Sequence, residues 1–299
     1  MKTLLLTDPM PSALFAAAVS ALAPDVPLLA HRADIADDEL ADVEVVLGWR
    51  LPSGLAPRMP RLRWVCSIAA GVEKLMPADL PARVQVSRIV DAEQAEGIAQ
   101  FVVMMALRHA RALPRYEAQQ LQQQWLRHPV AVVRSRVAVL GTGATGSVVA
   151  RLLTAVGFEV RGWSRRTGGD LDGLLGASDI VVCALPLTPE TQGLVNARRL
   201  ALLPAGGYVI NIARGGHVVE ADLIAAVRSS HLAGAALDVQ AREPMPADDP
   251  LWTVPGITIT PHIAAQSSVA TIAGQFVEGW RALQRGDVLP RLVDRAAGY

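Results

Sequence analysis

Val137-Ala138-Val139-Leu140-Gly141-Thr142-Gly143-Ala144-Thr145-Gly146 is the stretch on which the fold turns. Four apolar residues run into three glycines set close together, and an Ala/Val/Leu-rich segment follows to Val156. This reads as a buried strand, a tight turn and a helix. The turn leaves backbone N–H groups unpaired at the start of the helix, so partial positive charge faces any approaching anion, and a pyrophosphate suits it best. In that reading Gly141 permits the turn, Gly143 lets phosphates come close and Gly146 lets helix and strand pack. Glycine turns also end strands for steric reasons alone, so the downstream residues decide.

The next apolar run, Phe158 to Trp163, supplies the second strand of the unit. An acidic residue about 20 positions after the first glycine would bind the ribose 2′-hydroxyl of the adenosine half. Ser164 stands there instead, with Arg165 and Arg166 directly after it. A carboxylate repels a 2′-phosphate, whereas a hydroxyl and two guanidinium groups offer it charge-assisted hydrogen bonds. The pattern predicts NADP(H) in preference to NAD(H), with NAD(H) the alternative. At about 1.5 to 3 kcal/mol per charged contact, two such contacts separate the cofactors by on the order of a hundredfold or more. A solvated basic turn is the bland alternative, but it leaves the missing acid unexplained.

The composition narrows the partners. With 299 residues, 51% of them hydrophobic, the chain is long enough for two α/β domains with their own cores. Lys plus Arg and Asp plus Glu balance at 28 each, so no global field attracts nucleic acid or an anionic membrane, and a small molecule is the expected partner. Cys66 and Cys183 each sit in an apolar strand-like run and read as small buried hydrophobes, neither metal ligands nor a disulfide pair nor nucleophiles. Their scarcity fits a reducing, cytoplasmic setting. Lys2, an apolar run and the small residues Ser20 to Ala23 superficially resemble a cleaved leader, but Asp8, Pro9 and Pro11 interrupt it, and a strand at Thr3 to Leu6 entering a helix is the expectation. No uninterrupted apolar run reaches bilayer length.

From Lys2 to about Arg88, apolar runs at Leu4–Leu6, Leu28 and Leu29, Val43–Leu47, Leu62–Cys66 and Val84–Val86 alternate with helix-like or Pro-rich segments, which predicts a small parallel sheet with crossovers. A long helix begins near Glu93 and runs through Leu107 toward Leu113, and Pro114 should end or kink it. Gln119 to Gln124, with Trp125 and Leu126, reads as a second helix or an arm. Further strands are expected at Ile180–Leu185, Tyr208–Ala213, Ala235–Val239 and Ile257–Thr260, and a last helix over Ser267 to Gln284. The expected organisation is α/β: a doubly wound Rossmann domain over 96–265, inserted into a flavodoxin-like substrate domain of 1–95 plus 266–299, with a cleft between them.

Three strand ends carry candidate chemistry. Asn211-Ile212-Ala213-Arg214-Gly215-Gly216 brings an arginine to the carboxyl edge of the sheet, where ligands of open parallel sheets bind and where a guanidinium can clamp a carboxylate or carbonyl. Leu237-Asp238-Val239-Gln240-Ala241-Arg242-Glu243-Pro244 sets Asp238 in an apolar strand and Glu243 just beyond it. A buried Asp is costly unless it meets donors, and a nicotinamide carboxamide or ring nitrogen would serve. Thr260-Pro261-His262-Ile263-Ala264 ends a third strand. A lone His is usually structural, but one with a carboxylate partner at the same edge can act as a general acid.

These segments, with Glu220, Pro250-Leu251-Trp252 and Pro261-His262-Ile263, resemble the D-isomer-specific 2-hydroxyacid dehydrogenase family in order and spacing along the whole chain. The Trp163-Ser164-Arg165 turn, His262 to Ala265 and Val293-Asp294-Arg295 with Gly298-Tyr299 resemble its glyoxylate/hydroxypyruvate reductase A branch. The resemblance implies that His262 protonates the ketone oxygen, Glu243 orients His262, and Arg214 binds the substrate carboxylate and polarises the carbonyl. It implies that Asp238 holds the nicotinamide end and that Ala69 to Val72 is the substrate-carboxylate loop, with Ala70 and Gly71 as N–H donors and Trp49 walling the pocket. Leu185 and Pro186 would cover the adenosine side. Ala144, Thr145, Ile212, Ala213, His262 and Ala264 would complete the cofactor contacts. The implied reaction is NADPH-dependent reduction of a small 2-oxo acid, with Arg214 and His262 supplying the electrophilic and acid roles so that no metal is needed.

The resemblance also implies a homodimer, with the Pro114 to Pro129 arm as the expected contact. Rival readings are a reductase of a bulkier 2-oxo acid such as phenylpyruvate and a non-catalytic dinucleotide-sensing scaffold. A phosphoglycerate dehydrogenase with a regulatory domain is disfavoured because little chain follows the last helix.

Overall fold

The inner strands form because each is mostly a run of branched or apolar residues that a parallel sheet covers on both faces. The structure, a computed structural model, describes residues 1–129 and 135–298. The chain divides into two compact units, Met1–Asp91 with Ser267–Tyr299, and Ala92–Gln266. The first junction falls four residues before the one expected at 95/96, because the long helix starts at Ala92.

In the first unit β1 (Lys2–Leu6), α1 (Ser12–Leu22), β2 (Leu28–Ala30), α2 (Asp37–Ala41), β3 (Val43–Gly48), β4 (Trp64–Ser67) and β5 (Gln85–Ser87) follow in order. The described strands pair in parallel as β2-β1-β3-β4-β5. This is the flavodoxin-like order, with its reversal between β1 and β3. The amino-terminal apolar run is therefore strand and helix, with Leu4, Leu5, Leu6, Phe15 and Val19 buried.

The second unit opens with α3 (Ala92–Ala110) and α4 (Leu113–Leu121). Pro114 sits in the first turn of α4, where its missing N–H is harmless, and the break comes before it at Ala112, whose φ is 54°. The Gln-rich segment is thus helical only to Leu121. Leu121 and Trp125 beyond it are 88% and 94% exposed. Then come β6 (Arg136–Leu140), α5 (Ala144–Ala155), β7 (Glu159–Trp163), α6 (Leu171–Gly176), β8 (Ile180–Cys183), α7 (Ala197–Leu200), β9 (Gly207–Asn211), α8 (Glu220–Arg228), β10 (Leu232–Leu237) and β11 (Ile257–Ile259). They pair in parallel as β11-β10-β9-β8-β6-β7, with the reversal at β6/β8. One core lies under α3 and α5 (Val102, Val139, Val149, Ile210), and the other lies on the opposite face (Leu140, Val181, Leu223, Leu237).

The chain returns to the first unit as α9 (Val269–Arg285), capped by the Ser268 hydroxyl on Thr271 N–H at 3.0 Å and ended by Gly286 at φ 77°. Phe276 stacks on Trp64 with centroids 5.4 Å apart. Gly279 gives the indole its room, since a Cβ there would lie 2.6 Å from the ring. Burial pushes the thiols of Cys66 and Cys183 up to about 12, which keeps them protonated and inert. Among the described residues no helix is long and apolar enough to cross a membrane.

Candidate active site

The carboxyl edge of the second sheet gathers six strand ends, and the expected cofactor and catalytic residues of that unit fall on them. After β6, Gly141 takes φ 106° and donates its N–H to Trp163 O at 2.7 Å. A Cβ on Gly141 would lie 2.4 Å from Ala184 O, and one on Gly146 would lie 1.7 Å from Gly141 O. Both positions therefore admit glycine alone. Gly143, the N-cap of α5, has no heavy atom within 4 Å of a Cβ position. Open space thus lies above the first-turn N–H groups of Ala144, Thr145 and Gly146, which have no intrahelical acceptor. The partial positive charge of these N–H groups suits an anion such as a pyrophosphate.

After β7, the Ser164 hydroxyl meets the Thr167 hydroxyl at 2.9 Å, which tightens the turn. Arg165 is committed within the chain: its Nη1 lies 3.1 Å from Thr188 Oγ1 and 3.2 Å from a Glu190 oxygen. The Thr188 hydroxyl, and then Arg165, hold the Glu190 carboxyl below the usual range. Arg166 is exposed and makes no hydrogen bond or ion pair with the described residues. The two arginines that looked equivalent in sequence are thus unequal as anion ligands. After β8, Leu185 is buried, and Pro186 O accepts from the Thr191 hydroxyl at 2.8 Å.

After β9, Arg214 is half-buried at the start of a short 3-10 turn, with Ile212 and Ala213 leading into it. Its carbonyl accepts from Asn211 Nδ2 at 2.9 Å, and His217 Nδ1 lies 3.0 Å from the same oxygen. His217 is fully buried and turns its Nε2 to Pro186 O at 3.2 Å, so one ring ties the arginine turn to the Leu185–Pro186 segment.

After β10 and β11 the remaining groups converge. His262 Nδ1 lies 2.9 Å from Glu243 Oε2, with the two side chains 36% and 29% exposed. His262 takes φ 56°, a left-handed backbone that non-glycine residues rarely adopt. Its N–H donates to Asp238 O at 2.8 Å. The Asp238 carboxylate, 2% exposed, accepts from Thr260 Oγ1 at 2.6 Å and from the N–H groups of Ile263 and Ala264 at 2.9 Å each. The donors that satisfy this buried Asp are therefore those of the His262 turn itself. Burial raises the Glu220 carboxyl, at the start of α8, above its usual value, while the Ala241 N–H donating to it at 2.7 Å opposes the shift.

In the first unit, the turn after β4 is pinned by Ser67, whose Oγ donates to Gly71 O at 2.9 Å and accepts from Ala69 N–H at 3.0 Å. The N–H groups of Ala70 and Gly71 make no hydrogen bond within the described chain, so two donors stand ready on one turn. Trp49, after β3, is half-buried under the Lys74 ammonium, 4.9 Å from its ring centroid.

The sequence of residues 103–264 matches the profile of the D-isomer specific 2-hydroxyacid dehydrogenase NAD binding domain. The chain belongs to the D-isomer specific 2-hydroxyacid dehydrogenase family. It is accordingly an NAD(P)-dependent oxidoreductase. It is 36% identical over 282 residues to the glyoxylate/hydroxypyruvate reductase A of Serratia proteamaculans, covering 88% of this chain and 89% of that one. A solved family member from Xanthobacter autotrophicus Py2, in complex with NADPH and MES, superposes with a TM-score of 0.90 at 38% identity, covering 100% of this chain and 99% of that one. The NADPH-dependent glyoxylate/hydroxypyruvate reductase of Sinorhizobium meliloti, in complex with NADP and sulfate, gives 0.89 at 30% identity with the same coverage.

For this dehydrogenase, sequence reasoning missed His217 and Gln240 and gave Glu220 no role. The signal for Gln240 was present: a polar residue directly after an apolar strand, at the edge where ligands bind, has to be satisfied locally once it is buried. Tyr299, part of the expected branch signature, lies outside the described residues.

Proposed function

We propose that this dehydrogenase reduces small 2-oxo acids, glyoxylate and hydroxypyruvate, to glycolate or a D-2-hydroxy acid with NADPH. The observation that carries the reading is the 2.9 Å contact between His262 Nδ1 and Glu243 Oε2, at the strand edge that also carries Arg214 and the glycine cradle. A bound reduced nicotinamide dinucleotide supplies the hydride. Glu243 fixes the imidazole by taking the Nδ1 proton in a hydrogen bond, so Nε2 is the nitrogen that carries the proton given to the nascent alkoxide. Arg214 offers a forked donor to the substrate carboxylate and carbonyl, and its positive charge favours the oxygen on which negative charge develops. On the first unit, the N–H groups of Ala70 and Gly71 suit a carboxylate of the kind a 2-oxo acid carries, and Trp49 is the wall expected on that unit. Ser164 and Arg166, with Arg165 between them in the chain, suit a 2′-phosphate, in keeping with the NADPH and NADP bound by the relatives.

Gly141, Gly143, Ala144, Thr145 and Gly146 take the pyrophosphate in this reading, and Leu185, Pro186, Ile212, Ala213 and Ala264 line the rest of the cofactor. Asp238 serves the nicotinamide end by holding the Ile263–Ala264 turn. The exposed Leu121 and Trp125 near the end of the 114–129 arm support association of two copies there. Two buried free thiols suit a reducing, cytoplasmic setting.

The test is a rate panel of NADPH and NADH oxidation with glyoxylate, hydroxypyruvate, pyruvate and phenylpyruvate, for the wild type, His262→Ala and Arg166→Ala. The two small acids should turn over fastest. His262→Ala should lose about 10² to 10⁴ in rate. Arg166→Ala should lose about tenfold or more of the NADPH preference. Normal turnover by His262→Ala refutes the acid assignment, and turnover of bulky acids alone replaces the substrate class.

A further inference from the structure

Gln240 is 6% exposed in the turn that joins β10 to Glu243. Its side-chain nitrogen donates to Leu237 O at 3.0 Å and to Thr260 O at 3.4 Å. Both partners are carbonyl oxygens, so only the NH2 side of the carboxamide can face them. One amide thereby bridges the end of β10 to the residue that opens the His262 turn. The Gln240 backbone N–H donates to Glu243 Oε1 at 3.0 Å, and the other oxygen of that carboxylate meets His262 Nδ1 at 2.9 Å.

The peptide after Gln240 is fixed from two further sides. Ala241 N–H donates to Glu220 Oε1 at 2.7 Å. Gly215, the neighbour of Arg214, presses so closely that a Cβ on it would lie 1.9 Å from Gln240 C and 2.2 Å from Ala241 N. Gln240 therefore contacts, through its own atoms, the arginine turn, the glutamate and the segment leading to the histidine. His262 needs such support, because its φ of 56° is a conformation it would leave if the turn were free.

We infer that Gln240 is a positioning residue for proton transfer: its carboxamide holds the Thr260–His262 turn against β10 while its backbone N–H aims Glu243, so it sets the geometry of the Glu243–His262 pair. The inference rests on His262 being the acid. Gln240→Met keeps the length and apolar stem but removes the donors. Gln240→Glu keeps the shape, and its ionised carboxylate cannot donate to two carbonyls.

The experiment measures kcat and KM for wild type, Gln240→Met, Gln240→Glu, Glu243→Gln, the Gln240→Met/Glu243→Gln double variant and His262→Asn. Thermal unfolding and NADPH binding accompany each variant to report folding. Folded Gln240→Met and Gln240→Glu should each lose about tenfold in kcat with KM values within about twofold of wild type. The double variant should be no slower than Glu243→Gln beyond about twofold, because both changes act on one step. Fold-losses that multiply, an effect confined to KM, or wild-type kcat in folded Gln240→Glu overturns the inference while the acid reading stands. Retained turnover in His262→Asn, or none in the wild type, overturns the acid reading and this inference with it.

Discussion

Replacing Asp238 by alanine tests whether this buried acid serves the His262 turn or the cofactor directly. Its carboxylate accepts the N–H groups of Ile263 and Ala264 at 2.9 Å each and the Thr260 hydroxyl at 2.6 Å. A hydrogen bond to a charged group contributes about 1.5 to 3 kcal/mol, so the two backbone donors alone contribute about 3 to 6 kcal/mol to holding the turn. The left-handed φ of His262 opposes them by about 1 to 2 kcal/mol. The hydrogen bonds win in the wild type, and in Asp238→Ala the strain is left without its main counterweight. Because Ile263 is half-exposed and water can reach the freed N–H groups, the expected local loss is nearer about 3 kcal/mol than about 6.

Native-state hydrogen exchange of the Ile263 and Ala264 amides reads this loss directly, as roughly a hundredfold faster opening for each 2.7 kcal/mol or so. Turnover should fall by at least about a hundredfold, because His262 leaves its productive geometry. Asp238→Asn keeps the Oδ1 contacts but sets an NH2 against the Ala264 N–H, so about half the effect is expected. If Asp238 acted instead by holding the nicotinamide directly, Asp238→Ala would raise the NADPH Kd and leave both amides protected. Protected amides with kcat within about threefold of wild type would refute the hydrogen-bond argument altogether.

Two further outcomes follow from the same geometry. Gly146→Ala places a Cβ 1.7 Å from Gly141 O, so dinucleotide binding measured by fluorescence titration should be lost, with destabilisation of about 3 kcal/mol or more. Asp179 accepts from Arg136 N at 2.8 Å, Nε at 3.2 Å and Nη2 at 2.7 Å, and these contacts hold its carboxyl below 3.8. The folded state then binds fewer protons than the unfolded one as pH falls below the unfolded value, so the stabilisation is complete at neutral pH and disappears as pH drops through the folded value. The stability gap between wild type and Asp179→Asn, followed by thermal unfolding, should therefore narrow from pH 7 to pH 3, by on the order of 1 kcal/mol or less for so exposed a pair.

The strands could be read because parallel strands buried on both faces leave apolar runs such as Val137–Leu140 and Ile180–Cys183. Gly141 and Gly146 were legible because their constraint is steric and local. Arg214, Glu243 and His262 stand at strand ends, where the sheet topology alone assigns an edge. What sequence could not supply was pairing across distance. Nothing near Arg165 announces Glu190, and nothing near Asp238 says that Ile263 and Ala264 will turn their N–H groups toward it. Pro114 misled in a smaller way, because a proline that ends one helix and one that begins another look alike until the φ of Ala112 is known.

The return of α9 to the first unit has a consequence for how the protein is made. Residues 92–266 are contiguous in the chain, but the β1–β5 sheet, with α1 already on the same face, lacks α9 until Phe276, which comes 276 minus 64, or 212, residues after the Trp64 on which it stacks. At ribosomal speeds of roughly 5 to 20 residues per second, that ring face waits about 10 to 40 s for its partner. The β1–β5 sheet is thus the part that most needs shelter from aggregation, even though it is synthesised before the second unit.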